Sequence, residues 1–197
     1  MYIFGASGHA KVIIDLLDST DRVQGIFDDD PGIPRLMEIP VRGPVPEDFI
    51  FDQPLFIAVG DNNHRKNLYL RFRERATFAS IIHPSAIFSK RATLAAGTVV
   101  MESAIVKVDS CLGKQVIVNT GAAVDHECRL SDFVHIAPGA ILCGGVEVGE
   151  GSLIGAGSTV LPGLHIGAWV KVGAGSVVTR NIPDGSTWIG NRLKGNI

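Results

Sequence analysis

The chain has 197 residues, room for one large or two small domains, and its 46% hydrophobic content is scattered in short runs. No run approaches the roughly 20 apolar residues that a membrane-crossing helix needs. Eighteen Lys and Arg against 20 Asp and Glu leave a formal charge of −2, which gives no electrostatic case for nucleic acid. Cys111, Cys128 and Cys143 match no metal-ligand spacing and leave an odd one out. They read as reduced thiols, and with no secretory signal at the start the expected location is the cytoplasm.

From the N-terminus, residues 1–4 predict a strand, the Gly5 to Ala10 stretch a glycine turn, and residues 11–18, ending on Asp18, an amphipathic helix. A second strand over 23–27 ends on Asp28, Asp29 and Asp30. A third over 55–59 ends on Gly60, Asp61, Asn62 and Asn63, followed by a basic helix from about Arg65 to Arg75. A fourth strand is predicted over 78–82, after which Pro84 blocks further strand pairing. Strands alternating with helices imply a small parallel sheet with ligands at the strand C-termini, and the domain boundary falls near residue 82.

Beyond that boundary every sixth residue from Phe88 to Val178 is apolar, without insertion. Neither a helix nor a simple strand has this period, which marks a solenoid. Two residues before each ladder position the side chain is usually small or apolar, as at Ala86, Thr98, Ser110, Cys128, Ser152 and Ser176. Both positions point inward with one outward residue between them, the geometry of a short strand. Three strands and three turns make one triangular coil of 18 residues, so the hexads from His83 to Val178 predict about 5.3 coils rising roughly 25 Å. The pattern is that of a parallel β-helix; a left-handed hand runs against the usual right-handed crossover preference, and it is what the resemblance given below implies.

Hexads assigned in rotation give three outward columns. The first face shows Val99, Ile117, His135, Leu153 and Lys171; the second Ile87, Ile105, Ala123, Ile141, Thr159 and Val177; the third Thr93, Cys111, Arg129, Glu147 and His165. Two columns are largely apolar, which predicts burial against other copies in a homotrimer with Ile105, Ile117, Ile141 and Leu153 in the interface. Docking of the N-terminal domain over one face is the alternative.

Candidate site residues fall in both halves. Gly5 and Gly8 let backbone approach an anion, and amides opening the first helix can bind phosphate. The spacing is not the full dinucleotide fingerprint, so a nicotinamide is not expected. Asp28 and Asp29, with Asn62, Asn63, Arg65 and Lys66, favour a nucleotide site over a solvated loop. In the solenoid, His126 occupies a turn at one edge of the second face. Above it Gly144 and Gly145 leave a groove free of side chains. His135 interrupts the apolar column of the first face. Read alone, His126 fits an exposed turn histidine and His135 a hydrogen-bonded interface histidine.

The order Gly-Ala-Ser-Gly-His at residues 5–9, Phe-Asp-Asp at 27–29, Ala-Val-Gly-Asp-Asn-Asn-His-Arg-Lys at 58–66, Ile-His-Pro-Ser-Ala at 82–86 and Val-Asp-His-Glu-Cys at 124–128 resembles bacterial sugar acetyltransferases. The type is the sialic acid O-acetyltransferase and bacillosamine-pathway N-acetyltransferase (NeuD/PglD-like) family of hexapeptide-repeat enzymes. The resemblance covers essentially the whole chain and implies a Rossmann-like nucleotide-sugar domain at 1–82, an acetyl-CoA-binding β-helix at 83–180 and a tail at 181–197. It implies that Ser7, Gly8, His9, Asp28, Asp29 and Gly60 line the nucleotide site. It makes His126 the catalytic base, Glu127 the group that raises its basicity, and His135, Ala156 and Ala174 acetyl-CoA contacts between subunits of a trimer. The Gly190 to Lys194 stretch departs from the family pattern.

The chemistry that follows is direct transfer. An amine or hydroxyl attacking a thioester loses a proton, which a neutral imidazole accepts at physiological pH. His135 or a backbone amide binds the developing oxyanion. The expected substrate is a UDP-4-amino-sugar, with O-acetylation of a sialic-type sugar as the alternative. Two other classes remain: a carbonic-anhydrase-like zinc trimer using His126, His135 and His165, against which their spacing argues, and a non-catalytic nucleotide-sugar-binding solenoid. No metal is expected.

Overall fold

The computed structural model describes residues 1–17 and 23–194. The chain divides into two compact units, Met1–Ser80 and Ile81–Ile197.

In the first unit three parallel strands, β1 (Tyr2–Phe4), β2 (Gly25–Phe27) and β5 (Leu55–Ile57), form a sheet in the order β2-β1-β5. Helix α1 (Gly8–Asp15) follows β1, and α2 (Asn62–Phe72) follows β5. The predicted helix end at Asp18 lies outside the described residues. A short hairpin, β3 (Arg35–Leu36) and β4 (Ile39–Pro40), was not foreseen because two-residue strands carry no periodic signal. All nine residues of the three sheet strands are buried, and Tyr2, Phe27, Phe49 and Phe51 pack within 5.0–6.3 Å of one another, edge to face except for the tilted Tyr2–Phe27 pair. Successive apolar residues, with no in-out alternation, are what a strand covered on both faces requires.

The predicted fourth strand is divided. Phe78 makes a single bridge to Leu55, whereas β6 (Ile81–Ile82) pairs in parallel with Val99–Val100 of the solenoid. Apolar residues alone do not say which sheet a strand joins, and here the six-residue register takes it.

The second unit is a prism of two-residue strands stacked every 18 residues, with parallel registers such as Ile117↔His135 and Ala123↔Ile141. Among the described residues its three sheets hold eight, six and five strands, and their outward residues are those of the first, second and third faces defined above. Ladder residues from Val100 to Val178 are all buried. In the tail, Thr187–Ile189 extends the first face and turns back antiparallel into Arg192–Leu193, with Trp188 fully buried against the last coil.

Corners need backbone in the left-handed region, and the structure supplies it at 18-residue intervals. Ser103, Gly121, Gly139, Gly157 and Gly175 turn the chain from the first face to the second; Asp109, Glu127, Gly145 and Gly163 turn it from the second to the third. Small inward residues do more than fill space. Thr98, Ser110, Ser152 and Ser158 each donate a hydroxyl hydrogen bond to a carbonyl 15 residues on (2.6–2.9 Å) and accept an N–H from the residue 18 on (2.8–3.2 Å). These bonds pair corner groups that would otherwise be buried without partners.

One assembly expectation changes. Ile117 is 2% exposed within the single chain, so it is not available to an interface, whereas Ile87 is 61% exposed and Ile141 44%. The exposed apolar column is the second face.

Candidate functional site

In the first unit the chain leaves β1 for β2 on one side and returns to β5 on the other. Such a reversal is the place where open α/β sheets bind ligands, outside the C-terminal ends of the strands. Ser7 is the N-cap residue of α1, extended and without a side-chain cap bond, and Gly8 has nothing within 4 Å of where a side chain would start. Both are exposed. Gly5 serves otherwise: at φ 111° its missing Cβ avoids the Ala58 carbonyl, so this glycine packs β1 against β5 and does not admit a ligand.

Asp28 and Asp29 have opposite surroundings. Asp28 Oδ2 accepts from the Ala6 amide at 2.6 Å and Oδ1 from the Asp30 amide at 2.9 Å, tying the loop after β2 to the glycine turn. Asp29 is held in an ion pair with Arg71 Nη1, at 2.8 and 3.0 Å, and Arg71 lies over the rings of Phe4 and Phe72.

Arg65 and Asn62 do not present themselves to a ligand. Arg65 is 1% exposed; its guanidinium donates to the carbonyls of Val59 and Gly60 at 3.0 Å and to Asn62 Oδ1 at 2.8 Å. Burial pushes its pKa down to about 9, which still leaves it cationic at neutral pH. The sequence placed these two at the right strand end, but they shape the loop from beneath, where a polar pair is hydrogen-bonded rather than solvated. His9 leans on Gly60, and its Nε2 is buried with no hydrogen-bond partner among the described residues. Burial, then the nearby Arg65 cation, lowers its pKa to about 4, so the ring is neutral.

In the second unit His126 stands at the corner between the second and third faces. Its amide donates to Asp125 Oδ1 at 2.8 Å, and its Nδ1 lies 3.1 Å from Glu127 Oε2. Both side chains of the pair are more than half exposed. With Nδ1 facing a carboxylate, the neutral ring carries its proton there and Nε2 is the acceptor. Gly144 does not open a groove. A Cβ there would collide with the His126 ring, so the imidazole itself fills the space on that rung.

His135 is half-buried on the first face, and Asn119 Nδ2 donates to its Nε2 at 3.1 Å. The amide orientation is fixed because Asn119 Oδ1 accepts from the Thr120 amide at 2.8 Å. A neutral His135 therefore keeps its proton on Nδ1. Asn119 is a functional neighbour that the sequence analysis does not single out; its place 16 residues before His135 is the one signal the sequence carries for it. Ala156 and Ala174 are exposed one rung apart on the corner between the first and second faces, above Gly121 and Gly139. Nothing lies within 4 Å of a side chain built at Gly121, Gly139, Gly157 or Gly175. Within one chain His126 and His135 are not brought together, since the second face separates the corner from the first sheet. His165 stands on the third face beside Glu147 at 3.4 Å, and among the described residues no group of three or more His, Cys, Asp or Glu could hold a metal ion. No helix there is long and apolar enough to cross a membrane.

Comparison with known proteins joins the two units. Residues 1–72 match the PglD N-terminal domain, and residues 127–162 and 145–180 match the bacterial transferase hexapeptide (six repeats). UDP-N-acetylbacillosamine N-acetyltransferase of Bacillus subtilis is 41% identical over 113 residues, 50% of this chain and 50% of that protein, so the chain matches about half the length of this curated relative. The acetyltransferase domain of PglB from Neisseria gonorrhoeae superposes with a TM-score of 0.91 at 37% identity, covering 98% of this chain and 97% of that one. PerB from Caulobacter crescentus, solved with CoA and GDP-perosamine, gives 0.90 at 39% identity over 98% and 96%. The shared architecture is a small parallel sheet followed by a left-handed β-helix of hexapeptide repeats.

Proposed function

Because the chain belongs to the sugar N-acetyltransferase family that joins a PglD-type N-terminal domain to a hexapeptide-repeat β-helix, we propose that it acetylates the amino group of a UDP-linked 4-amino-deoxysugar. Acetyl-CoA supplies the activated thioester. The observation that carries the reading is the His126–Glu127 contact, which orients Nε2 to take the proton that the attacking amine loses. Glu127 holds the tautomer and faces the imidazolium as it forms. His135, with its Nε2 held by Asn119, contacts the acetyl donor together with Ala156 and Ala174.

Transfer is direct. Cys128 Sγ sits inside the prism, donating to the Cys143 carbonyl at 3.3 Å, and burial raises its thiol pKa, so it is no nucleophile. In the first unit the amides opening α1 at Ser7 and Gly8 receive a phosphate, the neutral His9 supplies an Nε2–H donor toward it, and Asp29 meets ribose or base beside Gly60. The second face, with Ile87, Ile141 and Val177 exposed, supports assembly as a homotrimer. Three unpaired thiols fit the reducing cytoplasm.

Thermal-shift measurements with UDP-, GDP- and CMP-sugars, each with and without acetyl-CoA, test the reading, because a ligand that binds only the folded form raises its stability. A UDP-4-amino-sugar is expected to stabilise the protein and to release CoA from acetyl-CoA. A stronger response to a GDP-sugar, the nucleotide class bound to PerB, reassigns the nucleotide. CoA release with a hydroxyl acceptor alone reassigns the reaction as O-acetylation.

A further inference from the structure

We propose that Gly144 is a positioning residue whose missing side chain is the slot for the His126 imidazole; the proposal rests on the reading of His126 as the base. Backbone conformation does not demand glycine here. Gly145 and Gly163 lie in the left-handed region at φ 69° and 67°, where a side chain is strained, but Gly144 does not. Space demands it. A Cβ built at position 144 comes within 3.1 Å of three His126 ring atoms, and the nearest of them is Nε2, the nitrogen left to act once Nδ1 faces Glu127.

The rung pattern shows that the slot is particular to His126. Eighteen-residue spacing puts Lys90, Val108, His126, Gly144 and Pro162 at one corner position on successive coils. Below His126 the position carries long or branched side chains, and above Gly144 it carries proline. Only the rung directly over His126 is bare. A methyl group at 144 meets the far end of a rotatable side chain rather than backbone. The ring therefore swings out, losing Glu127 and its aim, while the coil stays intact.

Gly144→Ala tests this in the full-length protein. Its kcat is expected to fall about a hundredfold, the scale of an ångström-sized misplacement of a reacting group. KM for acetyl-CoA and for the sugar should hold within about twofold on that account, since neither binding surface moves. The His126 ring proton resonances should shift. In a His126→Ala background the slot is empty, so adding Gly144→Ala should cost nothing further. A raised KM for acetyl-CoA with an unmoved ring resonance, or losses that multiply in the double variant, overturns the proposal. A displaced ring with kcat unchanged shows instead that His126 is not the base, which separates failure of the parent reading from failure of the slot.

Discussion

His126 Nδ1 and Glu127 Oε2 meet at 3.1 Å although the residues are neighbours in sequence, whose side chains in an extended chain point apart. Glu127 stands at φ 59°, and this left-handed corner brings the two side chains to one side. His126→Ala should keep its fold, because a corner side chain more than half exposed contributes little packing, and should lower kcat by about 10²–10⁴-fold. Glu127→Gln, whose carbonyl can still accept from Nδ1–H, should cost less than Glu127→Ala. Steady-state kinetics with one acceptor throughout checks the order; near wild-type kcat in His126→Ala moves the base elsewhere, to His135 first.

Two isoleucines separate assembly from folding. Ile141 is exposed on the second face and Ile117 is buried, so Ile141→Asp should yield a folded monomer. Ile117→Asp should fail to fold, because its carboxylate would be buried without a partner. Light scattering and circular dichroism read the two outcomes, and an Ile141→Asp protein that stays trimeric rejects the second face as the interface.

His9 gives the first unit a pH dependence. Its folded pKa of about 4 lies below the ordinary 6.5, so between those values the unfolded chain binds a proton that the folded one does not. This contribution to stability is present above about pH 6.5 and is lost as the pH falls toward 4. Proton NMR should find the His9 ring untitrated until about pH 4, whereas a midpoint near 6.5 contradicts its burial.

Ser152 tests the inner hydroxyl ladder. Its Oγ donates to the Gly167 carbonyl at 2.7 Å and accepts from the Val170 amide at 2.8 Å. Ser152→Ala strands both buried groups and should cost about 1–3 kcal/mol in urea unfolding. Ser152→Cys should recover part of that loss, since the Cys128 thiol likewise donates to the carbonyl 15 residues on, that of Cys143, at 3.3 Å.

The solenoid is legible from the residues alone, because an unbroken six-residue ladder leaves each strand's face, register and rung no freedom. The sequence also located the strand ends where Asp28 and Gly60 lie and the corner that carries His126, since these follow from counting. What it could not decide is which polar residues look outward. Arg65 and Asn62 read as ligand contacts and proved to be buried struts, because hydrogen bonds across a folded loop are invisible to spacing. Gly5 and Gly144 read as openings and proved to make room for Ala58 and His126, since a glycine means either an approach or a close packing and only the neighbour in space says which. Strand β6 joined the solenoid rather than the first sheet, and Ile117, outward on the first face, is nonetheless buried. Each was settled by long-range contacts on which composition and periodicity are silent.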